Sequence, residues 1–296
     1  MKKVRALVLF SGGLDSILAV KVLEEQGIDV TAVNFASYFF DSEQAKKSAE
    51  ENNIKLKIIK NKFPQYHWQI VKNPKYGYGR AMNPCADCHL LMVKKAGEIM
   101  KKGKYDFLAT GEVLGQRGFS QNKNALKNIE EHSGIKGKLS RPLSAGLLKP
   151  TEVENSGLVN REKLFNFSGK GRKRQIELAK KLKIKYYPSP AGGCLLTDKE
   201  FGHRLKLMME NFGADDIVVS DFVLLKFSRH FWFDKNLIIV GKNKDENNRL
   251  KKLKQKNDIL LRPDFPGPSV LIRGRKINQG IIEEAQKLIK KYSKKM

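Results

Sequence analysis

Residues 4–10 open the chain as a buried-strand run, apolar but for Arg5, that stops at Ser11-Gly12-Gly13. From Ser16 onward apolar residues recur at helical spacing instead: Ile17, Val20 and Leu23 share one face, and Gly27 ends it. The pattern predicts a buried strand and then a helix over residues 16–26. A second strand of the same buried type follows at 29–35, a helical stretch at 42–52 and a third strand at 54–59. Strand, helix, strand, helix, strand with short connections implies a parallel sheet with helices on both faces. Residues 88–102 read as a further helix, and 107–110 as a strand ending in Gly111-Glu112. Residues 115–140 are polar and contain glycine, which predicts a long functional loop. Leu143, Leu147 and Leu148 resume the core, residues 170–182 form a strongly basic helix, and the Pro/Gly stretch 188–193 turns to deliver Cys194.

From about residue 214 the pattern changes. Residues 217–219, 222–227, 231–233, 237–240 and 270–272 are short strand candidates separated by turns, and 279–292 is a terminal helix. The expectation is an α/β domain over residues 1–212 and a small β-rich domain over 213–296, with the change falling anywhere from 205 to 218. No internal repeat or low-complexity segment interrupts them.

Charge adds a partner to this picture. The 296 residues hold 57 Lys+Arg against 31 Asp+Glu, a net charge of +26. A lysine-rich thermophile composition would bring matching glutamates, and here the acids lag. The excess, spread along the chain, favours a polyanion, and phosphate backbones are the commonest one. No apolar run approaches the roughly 20 residues that span a bilayer. Residues 4–10 run straight into Gly-Gly and an acid without a cleavage site, which predicts a strand in a cytoplasmic protein rather than a signal peptide.

Ser11-Gly12-Gly13-Leu14-Asp15-Ser16 joins the first strand to the first helix, at the edge where open α/β sheets bind ligands. Gly12 and Gly13 let backbone N–H groups close on an anion, and the helix adds its positive end. Ser11 and Ser16 offer hydroxyls to phosphate oxygens. Asp15 is the odd member, because a carboxylate repels phosphate unless a cation intervenes, so Mg²⁺ bridging is implied. Neither G-x-x-x-x-G-K-[ST] nor G-x-G-x-x-G occurs, which argues against kinase-type and dinucleotide-type binding. The plain alternative is an ordinary glycine-rich strand–helix turn.

Three cysteines, Cys85, Cys88 and Cys194, suit thiol or metal chemistry better than a disulfide scaffold. Cys85 and Cys88 stand on one side of a helical turn at a helix start, where the N-terminus favours thiolate. Cys194 follows Gly192-Gly193, which permits close approach to a cluster or substrate. Several readings stay open. Cys85-Ala86-Asp87-Cys88-His89 spells a c-type haem attachment string, which needs an exported protein. Zinc²⁺ would need a fourth ligand, for which His89 is the candidate, although a histidine there more commonly packs or hydrogen-bonds in its helix. A redox pair with a third, spectator cysteine is another reading. The favoured one is three thiolates holding a [4Fe–4S] cluster, its open iron binding a sulfide.

With both motifs in view, the chain resembles the ATP-pyrophosphatase (PP-loop) tRNA thiolation family, of 4-thiouridine synthetase and 2-thiouridylase type, over roughly residues 1–205. The likeness rests on the 11–16 string, Cys85 and Cys88, Ala109-Thr110-Gly111-Glu112-Val113-Leu114-Gly115-Gln116, Arg141-Pro142-Leu143 and Gly193-Cys194. It implies a nucleotide α-hydrolase (HUP-like) sheet whose loop holds the β,γ-phosphates of ATP while the substrate attacks the α-phosphate. A base carbonyl oxygen of tRNA would be adenylated, and sulfur would then displace AMP. Ser11, Gly12, Gly13, Asp15 and Ser16 would bind the nucleotide, with Asn34, Phe35, Thr110, Gly111 and Gln116 near it. Asp15, Cys85 and Cys194 would be catalytic, and Cys85, Cys88 and Cys194 would hold the cluster. Bacterial 2-thiouridylase carries one catalytic cysteine where this chain has Cys-x-x-Cys, which favours the cluster route of the three-cysteine members.

The tail has its own likeness. Phe227-Ser228-Arg229-His230-Phe231, Gly241-Lys242-Asn243 and Pro263-Asp264-Phe265-Pro266-Gly267-Pro268 resemble the NFACT-type RNA-binding domain. A plain small β-domain is the alternative. Arg229, His230, Arg273 and Arg275, beside aromatic residues and turns, are the RNA-contact candidates, whereas the basic run 249–256 reads as a solvated helix face. The expected partners are tRNA and a sulfur donor, either free sulfide or a persulfide carrier, with a homodimer left open. The competing functions are persulfide-based thiolation without a cluster, an ATP-dependent amide ligase for a small molecule, and a non-catalytic RNA-binding factor.

Overall fold

The computed structural model describes residues 3–189 and 193–293, in two compact units, Met1–Cys194 and Leu195–Met296. In the first unit, β1 (Arg5–Leu9), β2 (Asp29–Phe35), β3 (Leu56–Ile59), β4 (Phe107–Thr110) and β5 (Leu139–Ser140) form one sheet. Its order is β3-β2-β1-β4-β5 and every pairing is parallel. The pleat of β1 sorts its residues onto two cores. Ala6 and Val8 pack with Ile17, Val20 and Leu23 of α1 (Leu14–Glu24) and with Ala45 and Ala49 of α2 (Glu43–Glu51). Leu7 packs on the other face with Phe63 of α3 (Phe63–Lys72), Val93, Ala96 and Met100 of α4 (Cys85–Lys102), and Ile129 of α5 (Lys123–His132). A strand covered on both faces has no solvent side to mark with polar residues, hence the apolar stretch that follows Arg5 in β1. After β5 come the short α6 (Glu152–Asn155) and then α7 (Lys173–Lys181), whose Leu178 and Ala179 pack against Leu14, Leu18 and Val22 of α1.

From β1 the chain moves outward through β2 to β3, then returns to lay β4 on the other side of β1. The loop after β1 therefore lies at a topological switch point, where a crevice opens beyond the strand ends.

Two expectations for this unit need correction. The stretch 115–140 is not one loop, because it contains α5. Asn122 caps that helix by accepting the Ala125 N–H at 2.8 Å, and Ala125, Leu126 and Ile129 turn a narrow apolar face inward. That stripe is too sparse to stand out among the polar residues around it. Leu147 is 43% exposed and lies outside the core that Leu143 joins. The helix α3 was not expected at all. Its buried face runs Phe63, His67, Trp68 and Val71, and the histidine interrupts the apolar signal.

In the second unit, β6 (Arg229–Phe233), β7 (Asn236–Val240), β8 (Ile259–Leu261) and β9 (Val270–Arg273) form an antiparallel sheet in the order β6-β7-β9-β8. Ile281, Ala285, Leu288 and Ile289 of α11 (Gln279–Tyr292) cover it through Ile238, Val240, Val270 and Ile272. Asp234 and Lys235, the two turn residues of the β6–β7 hairpin, both have positive φ (44° and 56°), which matches the twist of its strands. Residues 217–219 and 222–227, expected as strands, instead supply α9 (Val219–Leu224). The Asp221 carboxylate accepts the Val218 N–H at 2.8 Å and starts that turn. The helix α8 (Lys199–Phe212) and the strand β8 add to the expected elements, and α10 (Lys244–Leu253) takes in the first half of the basic run read as a helix face. Among the described residues, no helix is long and apolar enough to cross a membrane.

Candidate active site

The Gly-rich loop is shaped by its neighbours. Gly12 has φ +79°, and a Cβ there would fall 2.8 Å from both Ala45 Cα and the Gln44 carbonyl oxygen at the start of α2. Ser48 of α2 donates its hydroxyl to the Gly12 carbonyl at 2.7 Å. On the other side, a Cβ on Gly111 would meet the backbone of Asp15 at 2.6 Å and Ser16 N at 2.7 Å. Only glycine lets the segment after β4 close on the loop this tightly. Gly13 stands at the N-cap of α1, where no side chain caps the first turn, so the end of that helix is left to an anion. Ser16 Oγ donates to the Gly13 carbonyl at 2.8 Å, with Ser11 Oγ at 3.4 Å from it.

Asp15, in the first turn of α1, has two differently occupied oxygens. Gln116 Nε2 donates to Oδ2 at 2.6 Å, and Gln175 Nε2 of α7 donates in turn to Gln116 Oε1 at 3.1 Å. Oδ1 is buried with no hydrogen-bond partner among the described residues. Burial pushes the Asp15 carboxyl up, against the Gln116 hydrogen bond and the charges of Arg172 and Arg117. One oxygen held and one open is the arrangement a divalent cation such as Mg²⁺ fits.

Asn34 and Phe35 end β2 beside the loop. Asn34 Nδ2 donates to the Phe10 carbonyl at 2.8 Å, and Phe35 stacks on Phe63 at 4.5 Å in the core. Thr110, at the end of β4, leads into a buried cluster that sequence reasoning did not isolate. Its hydroxyl donates to Glu112 Oε2 at 3.0 Å, Arg141 Nε donates to the same oxygen at 3.0 Å, and His89 Nδ1 lies 3.0 Å from Oε1. Arg141 also reaches Glu130 and the Leu126 carbonyl, both at 3.2 Å. Burial alone would raise the Glu112 carboxyl, but Arg141 and His89 overcome it and hold it at about 2. The only signal in the sequence was the presence of Glu112 and Arg141 within motifs quoted for other reasons.

The cysteines open α4. Asn83 Nδ2 donates to Cys85 Sγ at 3.2 Å. The Asp87 carboxylate accepts the backbone N–H groups of Lys75 and Tyr76 at 3.1 and 3.0 Å, tying the preceding loop to the helix. Cys85 and Cys194 are half-buried and Cys88 is buried. The helix start was expected to favour thiolate at both Cys85 and Cys88. For Cys88 the opposite holds: burial first, then Cys194, Cys85 and Asp87, pushes its thiol well up. Among the described residues, no three of His, Cys, Asp and Glu converge on one metal ion. His89 turns Nδ1 to Glu112. Residues 190–192, within the turn expected to deliver Cys194, lie outside the described residues.

The structure thus brings Ser11, Gly12, Gly13, Asp15, Ser16, Gly111 and Gln116 together. The His89–Glu112 hydrogen bond ties the helix carrying Cys85 and Cys88 to the segment that packs on Asp15. Residues 2–149, half of the chain, match the family described as thiamine biosynthesis protein (ThiI). The chain belongs to the ThiI family. Residues 228–296 of this ThiI-family chain match a second description, NFACT protein RNA binding domain. A probable tRNA sulfurtransferase of Finegoldia magna is 35% identical over 150 residues, covering 48% of this chain and 36% of that protein. A tRNA-specific 2-thiouridylase MnmA of Natranaerobius thermophilus is 30% identical over 130 residues, covering 36% and 34%. The chain therefore spans about a third of the length of these curated relatives. Among solved structures, a 4-thiouridine synthetase–RNA complex with bound ATP aligns with a TM-score of 0.39 and 20% identity, covering 61% of this chain and 51% of that one.

Proposed function

We propose that this chain is an ATP-dependent tRNA sulfurtransferase, which adenylates a base carbonyl oxygen and replaces it with sulfur. The observation that carries the reading is the link from cysteines to loop: His89, next to Cys88, bonds Glu112, and Gly111 packs on Asp15. A nucleotide loop and a thiol cluster at one sheet edge suit sulfur transfer to an activated oxygen. The open end of α1 and the glycine backbone would hold the phosphates, and Asp15 Oδ1 would take Mg²⁺ while Gln116 fixes the other oxygen. The base oxygen attacks the α-phosphorus and pyrophosphate leaves; sulfur then attacks the base carbon and AMP leaves with the oxygen. An amide-like oxygen needs this conversion because it is otherwise a poor leaving group.

Cys85, Cys88 and Cys194 would hold a [4Fe–4S] cluster. Cys85 and Cys194 both lie near enough to act on the buried Cys88 thiol. Three soft thiolates, with no fourth protein ligand among the described residues, are the donor set of a cluster with one open iron. When bound, such a cluster would supply the site with its transferable sulfur. One observation favours a cluster-free persulfide route instead: the Asn83 amide hydrogen bond holds the Cys85 sulfur in place as a single positioned nucleophile.

The test is tRNA-dependent release of AMP and pyrophosphate by anaerobically prepared protein, with mass spectrometry of the tRNA nucleosides. Asp15→Asn is expected to lower ATP turnover by about a hundredfold, and Cys85→Ala to abolish the thionucleoside. ATP cleavage that ignores tRNA would point to a small-molecule ligase, and RNA binding without any cleavage to a non-catalytic factor.

A further inference from the structure

The side of Asp15 away from the Gly-rich loop is built from two segments distant in sequence. One follows β4 and carries Gln116 and Arg117; the other leads into α7 and carries Arg172 and Gln175. They are fastened together. The Gly169 N–H donates to the Leu114 carbonyl at 2.8 Å, Leu114 and Ser168 form a parallel bridge, and Gln175 donates to Gln116. Packing of Leu178 and Ala179 on Leu14 and Leu18 then sets the start of α7 beside the start of α1.

Arg172 is the N-cap residue of α7, an unusual place for a cation, since the helix end is already positive. Its Nε is buried with no hydrogen-bond partner among the described residues. Leaving a buried donor unmade is costly. Arg172 and Arg117 both lie close enough to Asp15 for their charges to oppose the burial that raises its carboxyl, yet the hydrogen bond to Oδ2 comes from Gln116, not from either arginine. Two guanidiniums that approach a carboxylate, while an intervening amide occupies it, are left with donors for another anion. The site between them and the loop end of α1 suits a group with more negative charge than one carboxylate.

We infer that Arg172, with Arg117 beside it, holds the pyrophosphate part of the nucleotide from the α7 side, closing a clamp whose other jaw is the Gly-rich loop. This rests on the nucleotide reading proposed above and deepens it. The planar guanidinium fork binds two phosphate oxygens at once, which a single ammonium does not. Gln175 and Gln116 keep Asp15 from pairing with the arginines, so that carboxylate and guanidiniums face the ligand separately, one through its cation and the others directly. The ligand class is a diphosphate unit: the β,γ end of a nucleoside triphosphate, or free pyrophosphate, but not a monophosphate.

The test titrates inorganic pyrophosphate with Mg²⁺ into the full chain by calorimetry, and AMP in parallel. Arg172→Ala is expected to weaken pyrophosphate binding by about tenfold or more and leave AMP binding unchanged. Arg172→Lys keeps the charge without the fork and should fall between, and the exposed Arg117 should give a smaller loss in Arg117→Ala. Should Arg172→Ala not fold, the lysine variant and Arg117→Ala decide. Pyrophosphate affinity unchanged in these variants would overturn the assignment, as would equal losses for pyrophosphate and AMP. A wild-type chain that binds neither ligand would instead overturn the nucleotide reading itself.

Discussion

Glu112 is a carboxylate kept from water and held by a threonine hydroxyl, an arginine and a histidine. Its sign of charge is thereby fixed over the whole working range of pH, and the His89 ring is fixed with it. Because the folded value, about 2, lies below the ordinary 4.5, Glu112 contributes stability that is present above pH 4.5 and fades as pH falls toward 2. Glu112→Gln removes the more buried of the two carboxylates paired with buried Arg141, leaving only Glu130, and should cost about 3 kcal/mol at neutral pH. Urea unfolding at pH 7 and near pH 3 checks this: the gap between variant and wild type should narrow at the lower pH. An unchanging gap would mean that packing, not charge, dominates at this position. Such a residue is hard to read in sequence, since a buried and an exposed glutamate are spelled alike and the partners sit 23 and 29 positions away.

At the scale of elements, the parallel sheet was legible and the second unit less so. β2 and β4 fall where they were expected, because strands buried on both faces are rich in apolar residues and end at polar or glycine turns. α9 was misread as strand material, since Phe222, Val223, Leu224 and Leu225 form a short apolar run whose period is undefined at that length. Arg273 was misread in a related way. It stands at the end of β9 before a turn, as an RNA contact would, but it is buried and bonded to Asp258 and Asp221. It also donates to the Leu253 carbonyl at 2.7 Å, joining α9, the end of α10 and β9. Arg273→Ala should therefore destabilise the protein by about 3–5 kcal/mol, whereas Arg275→Ala, exposed and paired with exposed Asp216, should change stability by less than about 0.5 kcal/mol. Chemical denaturation of the two variants separates these outcomes, and similar losses from both would contradict the assignment. His230 fits the same pattern: burial lowers it to about 4, and Nε2 lies 3.0 Å from the Phe227 carbonyl.

For the molecule as a whole, the charge of +26 sets the kind of encounter it makes. If tRNA is the partner, binding releases counterions and must weaken as salt rises. With about six phosphate contacts, affinity should fall on the order of a thousandfold between about 50 and 200 mM salt. A filter-binding series across that range checks this, and a flat response would leave the charge without a polyanion to explain it. The Gly-rich loop of the proposed nucleotide site was visible in six consecutive residues, but the wall that shapes it was not. Gly12 keeps its turn because α2 presses on it with Ala45 and Ser48, two small residues that look unremarkable some thirty positions on. The six-letter string is therefore not a portable cassette. Transplanted into another sheet it would keep its glycines and lose its curvature, unless a helix with equally small residues came with it.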